Sequence, residues 1–313
     1  MLHKVPKKVV SFLGVLGNVD ASILNVKFDH GFYCLGMPDD EARKIISSFE
    51  DITIREAATT LFMELPTTNI EERKVYFVRN SFQCDLEENV RSEILELWPC
   101  IARFDNELVH RYLNRVLRLM RLFKEGNVCM PLTYYILDAD TSNPRAFIRG
   151  RTYRSLTREP YTVDSSEFPD LQTFIMQTKL PFAHSFLDLA FENFELSYEV
   201  PNRNLAFLAL MVSMETLLNR SNLELRHTLS RNVAALLGKE KQDSALIMSD
   251  MRKLYDKRSK LVHSGSSDIS QEDALRLRYL ARESIKEILR LGKAKGELLD
   301  MLDSSGFGER SWR

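Results

Sequence analysis

The sequence contains few cysteines, glycines and prolines: four, twelve and ten in 313 residues. Cys34, Cys84, Cys100 and Cys129 lie far apart and form no CxxC pair, so we expect reduced thiols, not a disulfide framework or a zinc site. The six histidines are also dispersed, without the spacing of metal ligands. Motifs of the types GxGxxG, GxSxG and HExxH are missing. These absences predict a protein without a metal ion or a cofactor.

Long apolar runs are missing too. The longest, at residues 205–214, is about half the length that an α-helix needs to cross a bilayer. The first twenty residues superficially imitate a signal peptide, but Gly14 and Gly17 interrupt the apolar stretch and strand-like sequence follows. We therefore predict an N-terminal β-strand, no membrane association and a cytoplasmic location.

Charge is distributed unevenly along the chain, although the net charge is only −1. Residues 201–291 contain sixteen Lys and Arg against eleven Asp and Glu, a net charge of +5. Residues 1–200 contain twenty-three against twenty-nine, a net charge of −6. The C-terminal part therefore has the sign expected of a module that contacts a polyanion, although +5 is too small to establish one.

The first 165 residues combine strand and helix patterns. Apolar runs bounded by turn residues predict strands at 9–16, 22–35, 75–82, 129–137 and 145–153. An acidic start after Pro38 predicts a helix at 39–49. Apolar residues at helical spacing predict a long helix at 86–123, which Pro99 kinks or splits, and a shorter one follows at 170–180. We predict an α+β domain at residues 1–200.

Only helical patterns follow residue 203. Helices are predicted at 203–219, 223–237 and 243–263, and a capping box that begins at Ser270 predicts a last one ending near 291. Four helices with short connections favour an all-α antiparallel helical bundle at residues 201–292. Residues 293–313 are predicted to be a tail with one short helix and a frayed end.

An arginine lies on the apolar side of the third of these helices. Large apolar residues recur at 247, 251, 254, 255, 261 and 262, and at about 100° per residue all lie within about 60° of Arg258. A guanidinium stays charged in proteins, so there it needs a carboxylate, a carbonyl or a bound phosphate. An ion pair with an internal acid such as Glu215 is one explanation. A phosphate site is the other, and His263 at the end of the helix favours it.

Cations crowd the same helix. Five of them fall within nine residues: Arg252, Lys253, Lys257, Arg258 and Lys260. The usual explanation of such a run is a solvated helix face. Here the run flanks an inward-facing arginine and a terminal histidine, which also suits the binding of phosphates.

Three segments carry a resemblance to a known family. They are Leu254-Tyr-Asp-Lys-Arg-Ser-Lys-Leu-Val-His-Ser-Gly265, Met214-Glu-Thr-Leu-Leu218, and Arg226-His-Thr-Leu-Ser230 with Ala234-Ala-Leu-Leu-Gly238. In this order they resemble the ApeA-like branch of the HEPN superfamily, a group of all-α ribonuclease and defence modules. The superfamily is marked by an arginine, four to six residues and a histidine near the end of its third helix. The resemblance covers about residues 200–292.

The resemblance implies metal-independent cleavage of RNA at a site assembled across a two-fold homodimer. His263 would exchange a proton with the ribose or the leaving oxygen, and Arg258 would bind the scissile phosphate. Glu215 is implied to hold Arg258, Tyr255 to lie beside the substrate, and Ser259 to be the polar residue after the arginine. Lys253, Lys257 and Lys260 would bind RNA.

Helical geometry also favours a dimer, because five residues turn about 500° and leave Arg258 and His263 roughly 140° apart. The implied function is a toxin or anti-phage effector, restrained by a regulatory ligand or protein at the N-terminal domain. Two alternatives remain open. One is a non-catalytic dimer that binds RNA, a nucleotide or a partner protein, and the other is a structural dimer with a salt-bridged Arg258.

Overall fold

The computed structural model describes residues 7–47, 74–85, 98–137, 146–150, 160–220, 224–265 and 268–308. The chain divides into two compact units, the first ending at Thr178 and the second beginning at Lys179. The predicted domain boundary at residue 200 falls within the second of these units. Among the described residues, no helix is long and apolar enough to span a membrane.

The first unit contains a five-stranded antiparallel sheet. Its strands are β1 (Lys7–Gly17), β2 (Tyr33–Pro38), β3 (Lys74–Asp85), β4 (Cys129–Leu137) and β5 (Ala146–Gly150), in the order β2-β3-β1-β4-β5. The central strand β1 is apolar on both faces because it is covered on both, as the buried neighbours Phe12 and Leu13 show. The predicted small α+β architecture of this region is confirmed.

One predicted strand of the first unit is half wrong. Residues 21–25 form a 3-10 helix, which the Asp20 carboxylate caps by accepting a hydrogen bond from the Ser22 amide at 2.9 Å. The strand begins only at Tyr33. The apolar residues of 22–35 suit a strand and a 3-10 helix equally. The cap that Asp20 provides favours the helix at residues 21–25.

The helices of the first unit follow the predicted pattern with local changes. They are α1 (Asp39–Ser47), α2 (Trp98–Phe104), α3 (Asn114–Phe123) and α4 (Phe168–Gln177). A π-helix, Asp105–Leu113, joins α2 to α3. Pro99 lies in the first described turn of α2, and residues 86–97 of the predicted long helix lie outside the described residues.

Two of the four cysteines are bonded to each other. Cys84 at the end of β3 and Cys100 in α2 form a disulfide, with Cα atoms 6.0 Å apart. This corrects the expectation of four reduced thiols, which spacing alone could not test because the pair depends on how β3 and α2 pack. Cys34 and Cys129 are thiols, and burial raises their pKa to about 12 and about 11 respectively.

The second unit is helical in its described residues. Its helices are α5 (Ser185–Glu199), α6 (Arg203–Leu218), α7 (Leu225–Leu237), α8 (Lys241–Ser264), α9 (Gln271–Leu291) and α10 (Lys295–Ser304). Local signals mark one end of each of three of the four predicted helices. Asn202 caps α6, Ser270 and Asp273 form the capping box of α9, and Gly265 ends α8 at a φ of +66°.

Helix α5 belongs to the bundle because its apolar face contacts two buried arginines of α9. Arg278 donates to the Ser197 carbonyl at 2.9 Å and its guanidinium lies 4.0 Å from the centre of the Tyr198 ring. Arg282 donates to the Tyr198 hydroxyl at 3.1 Å. The Ser213 hydroxyl of α6 donates to a carbonyl of α5 at 2.7 Å. These contacts place α5 in the second unit, ahead of the predicted start at 201.

The tail is more ordered than predicted. Leu298, Leu299 and Leu302 of α10 are buried, and α10 packs against α6 and α7. Arg231 of α7 donates to the carbonyls of Leu302 and Ser305, each at 2.9 Å. The short helix is confirmed, but residues up to 308 continue as a structured part of the bundle.

Candidate functional site

Helix α8 carries most of the predicted site. It runs without interruption from Lys241 to Ser264, so the angular relations of a regular helix hold throughout. Its buried residues include Ile247, Met251, Leu254 and Tyr255. The apolar stripe predicted from the sequence is therefore confirmed up to Tyr255, and the side chains that follow it are partly exposed.

Arg258 lies at the edge of that stripe, with 26% of its side chain exposed. Its Nη2 atom lies 3.7 Å from Oε1 of Glu215 on α6, and its guanidinium is 5.7 Å from the centre of the Tyr255 ring. A separation of 3.7 Å is too long for a hydrogen bond. Within the described part of the chain, Arg258 donates no side-chain hydrogen bond, so its donors are not consumed by an internal acid.

Glu215 is under-solvated in the same cluster. Its Oε1 atom is buried, has no hydrogen-bond partner among the described residues, and 21% of the side chain is exposed. Burial raises the pKa of this carboxyl, and the charge of Arg258 opposes that rise. Burial and the charge of Glu215 raise the pKa of the Tyr255 phenol, which Arg258 again opposes. Arg258 and Glu215 are thus an ion pair without a hydrogen bond between them, and neither charge is fully compensated by the other.

His263 is exposed and lies in the last turn of α8. Because the helix stays regular through Ser264, the angle of about 140° between the directions of Arg258 and His263 is retained. The structure therefore brings Arg258, Glu215 and Tyr255 together and directs His263 away from them. Ser259, between the two, is half-buried.

The three predicted RNA-binding lysines differ in their surroundings. Lys257 forms an ion pair of 2.6 Å with Asp273, the acid of the α9 capping box, and this hydrogen bond raises the pKa of Lys257. Lys253 and Lys260 are exposed, and the nearest acid to Lys253 is Asp250 at 4.0 Å. Lys257 thus has a structural partner, whereas Lys253 and Lys260 face solvent.

Apolar side chains lie exposed beside the cluster. Val262 follows Arg258 by four residues and is 50% exposed, so the two share a helix face. Val212 precedes Glu215 by three residues on α6 and is 43% exposed. Each residue of the Arg258–Glu215 contact therefore has an exposed valine about one turn away on its own helix, and exposed apolar side chains suit a surface covered by another protein chain.

Sequence reasoning missed the contribution of the neighbouring helix and of the tail. Arg226 of α7 binds both carboxylate oxygens of Asp256, at 2.6 and 2.7 Å, and Phe307 lines a groove beside α8. No signal in the sequence pairs these positions, because they are distant along the chain.

In the part of the chain that the structure describes, no three His, Cys, Asp or Glu side chains are grouped to hold a metal ion. Comparisons of the whole chain with protein-family models, curated proteins and solved structures give no match.

Proposed function

We propose that this chain is a metal-independent endoribonuclease with a HEPN-like module at its helical end, active as a homodimer. The observation that carries the proposal is the state of Arg258. It is a permanent cation at the edge of an apolar face, partly exposed, with 3.7 Å to its nearest acid. Such a guanidinium retains donors that can bind a phosphate in two places at once.

The chemistry assigns one role to each residue. His263 removes the proton of a ribose 2′-hydroxyl, the 2′-oxygen attacks the adjacent phosphorus, and the bond to the 5′-oxygen breaks. The products are a 2′,3′-cyclic phosphate and a 5′-hydroxyl, which receives its proton from an imidazolium. One imidazole can serve both steps, because the neutral ring accepts a proton and the imidazolium returns it. Arg258 stabilises the charge that develops on the phosphate oxygens.

A dimer supplies the missing proximity. One chain directs Arg258 and His263 about 140° apart, so one phosphate is not readily reached by both. A two-fold axis beside α8 brings the arginine of one protomer towards the histidine of its partner. Val262, which is exposed and follows Arg258 by one helical turn, supports an interface there.

The wider role follows from the same proposal. An RNA-cleaving dimer acts in the cytoplasm, where its substrate is, as a toxin or anti-phage effector. The sheet-containing first unit then provides the regulatory element, which responds to a ligand or a protein.

The test is cleavage of total RNA by the purified chain in EDTA. We expect His263→Ala and Arg258→Ala each to lower the rate by about 100-fold or more, because acid–base catalysis and phosphate stabilisation each contribute at least that much. His184→Ala and Arg290→Ala are the matched controls, since both residues belong to the second unit and lie outside the cluster. Undiminished cleavage by either site variant would remove that residue from its role.

A non-catalytic RNA-binding dimer is the second candidate, favoured by one observation. Glu215 beside Arg258 supplies part of the counter-charge that a substrate phosphate would otherwise provide. This candidate predicts no turnover in EDTA or with metal ions, together with RNA binding that weakens as salt rises.

A further inference from the structure

A groove of about 360 Å³ lies along the N-terminal half of α8. Its walls come from three parts of the second unit: α8 itself, Arg226 of α7, and Phe307 from the segment after α10. The α8 residues are Ala245, Met248, Ser249, Arg252, Lys253 and Asp256. The volume falls in the range of sites that hold small ligands or single nucleotide units.

The lining has an excess of positive charge. Arg226 and Asp256 neutralise each other through their two hydrogen bonds. Arg252 and Lys253 remain as the cations of the groove, and the closest acid to Lys253 is Asp250, at 4.0 Å and outside the lining. A groove with two cations left over attracts an anionic ligand.

Arg252 is the better placed of these two cations. Its Nη2 atom lies 3.3 Å from Nδ1 of His227, which can accept that hydrogen bond when the ring is neutral. Its Nε atom is buried and has no hydrogen-bond partner among the residues that the structure describes. A buried, unpaired donor costs free energy, and the guanidinium that carries it belongs to a side chain that lines the groove, where a phosphate can bind.

Phe307 is held in place by the tail. Arg231 fixes the chain just before it through the carbonyls of Leu302 and Ser305. Directly after it, Gly308 has a φ of +77°, and a Cβ there would lie 2.7 Å from the Lys241 amide nitrogen. Only glycine permits so close an approach to the start of α8. The backbone on both sides of Phe307 is therefore held in place, and its half-buried ring lines the groove, where a base can stack on it.

The groove and His263 share one face of α8. Eleven residues separate Arg252 from His263, a rotation of about 1100°, which is three turns plus about 20°. The distance along the axis is about 16 Å. The exposed Lys260 lies between them along the axis, about 60° around the helix from His263. A strand of nucleic acid that occupies the groove can therefore continue along this face to His263.

We propose that the groove formed by Arg252, Lys253 and Phe307 binds one nucleotide of the RNA substrate, single-stranded and remote from the cleaved bond. Arg252 binds its phosphate and Phe307 stacks on its base. The proposal rests on the proposed function, since it assigns a second contact to the same substrate.

The test uses the full chain and a fluorescein-labelled single-stranded oligouridylate, with binding measured by fluorescence anisotropy. We expect Arg252→Gln and Phe307→Leu each to weaken binding about tenfold, whereas Phe307→Trp keeps the ring and retains the affinity. Arg290→Gln is the matched control and is expected to stay within about twofold. Circular dichroism and thermal melting of each variant verify that it is folded.

The outcomes separate this proposal from the proposed function. If both groove variants bind the oligonucleotide more weakly and the wild-type chain cleaves no RNA, the result supports the groove and overturns the nuclease. Cleavage by the wild type with unchanged affinity in either groove variant overturns the groove and leaves the nuclease standing. A loss that is equal for single-stranded and duplex RNA also overturns it, because bases inside a duplex are not available to stack on Phe307.

Discussion

The dimeric site makes a quantitative prediction about mixed dimers. Co-expression of Arg258→Ala and His263→Ala chains with different tags allows the heterodimer to be purified in two affinity steps. In this heterodimer, one composite site contains both substituted residues and the other contains both native ones. If the site spans the two-fold axis, we expect about half of the wild-type rate.

The size of the effect follows from the geometry. Each single-variant homodimer has no intact site and retains about 1% of the rate or less, if each residue contributes about 100-fold. Recovery to half therefore means a rise of about 50-fold over that background. Unseparated mixtures, in which half of the dimers are heterodimers, should recover about a quarter of the wild-type rate.

A second heterodimer reverses the prediction and serves as the control. It joins a wild-type chain to a chain that carries both Arg258→Ala and His263→Ala. With sites shared between chains, neither of its two sites is intact and activity is lost, whereas sites within one chain would leave about half. The assay is cleavage of a labelled RNA in EDTA. A doubly substituted heterodimer that keeps half of the activity, beside an inactive singly substituted one, would refute the shared site.

Two further predictions concern the charges around the site. Burial raises the pKa of Glu215, so its contribution to stability is present below the unfolded pKa of about 4.5 and is lost as pH rises through the folded pKa. Glu215→Gln should therefore stabilise the fold at pH 7 by about 1 kcal/mol, offset in part by the lost attraction to Arg258, and the gain measured by thermal melting should vanish near pH 4. Lys253→Ala should lower the salt dependence of RNA binding without changing the melting temperature. Lys257→Ala breaks the ion pair with Asp273, so it should lower the melting temperature, with a destabilisation of up to about 1 kcal/mol. Equal melting temperatures of the two lysine variants would contradict the structural role of Lys257.

The sequence predicted helix ends well where the signal is local. Asn202 and Ser270 cap their helices through side chains that bond amides two or three residues later, and such caps can be recognised without any tertiary structure. It does not show that α5 packs with the predicted bundle, because α5 joins it through contacts from distant positions. Arg278 and Arg282 of α9, for example, are buried against Ser197 and Tyr198.

The same contrast between local signals and contacts from distant positions applies to the candidate site. Arg258 could be found because an arginine on an apolar stripe is unusual in a helical pattern, and Glu215 could be named as its partner from the resemblance of α6. The groove could not be found, because it depends on Phe307 from a tail that was predicted to fray. Only the fold shows that Gly308 passes within contact distance of the start of α8 and so holds the backbone next to Phe307.

The groove and the shared site support each other through the geometry of one helix. Arg252 and His263 differ by only about 20° around α8, whereas Arg258 differs from His263 by about 140° and is turned towards Glu215. An RNA strand that runs from the groove to His263 therefore lies on the side of the helix away from the same chain's Arg258. The guanidinium that binds its cleaved phosphate then has to come from the partner protomer. Substitution of Arg252 should accordingly weaken RNA binding to the protomer that provides His263. In the singly substituted heterodimer, the Arg258→Ala chain provides the His263 of the intact site. Only an Arg252→Gln substitution on that chain should therefore reduce the recovered activity.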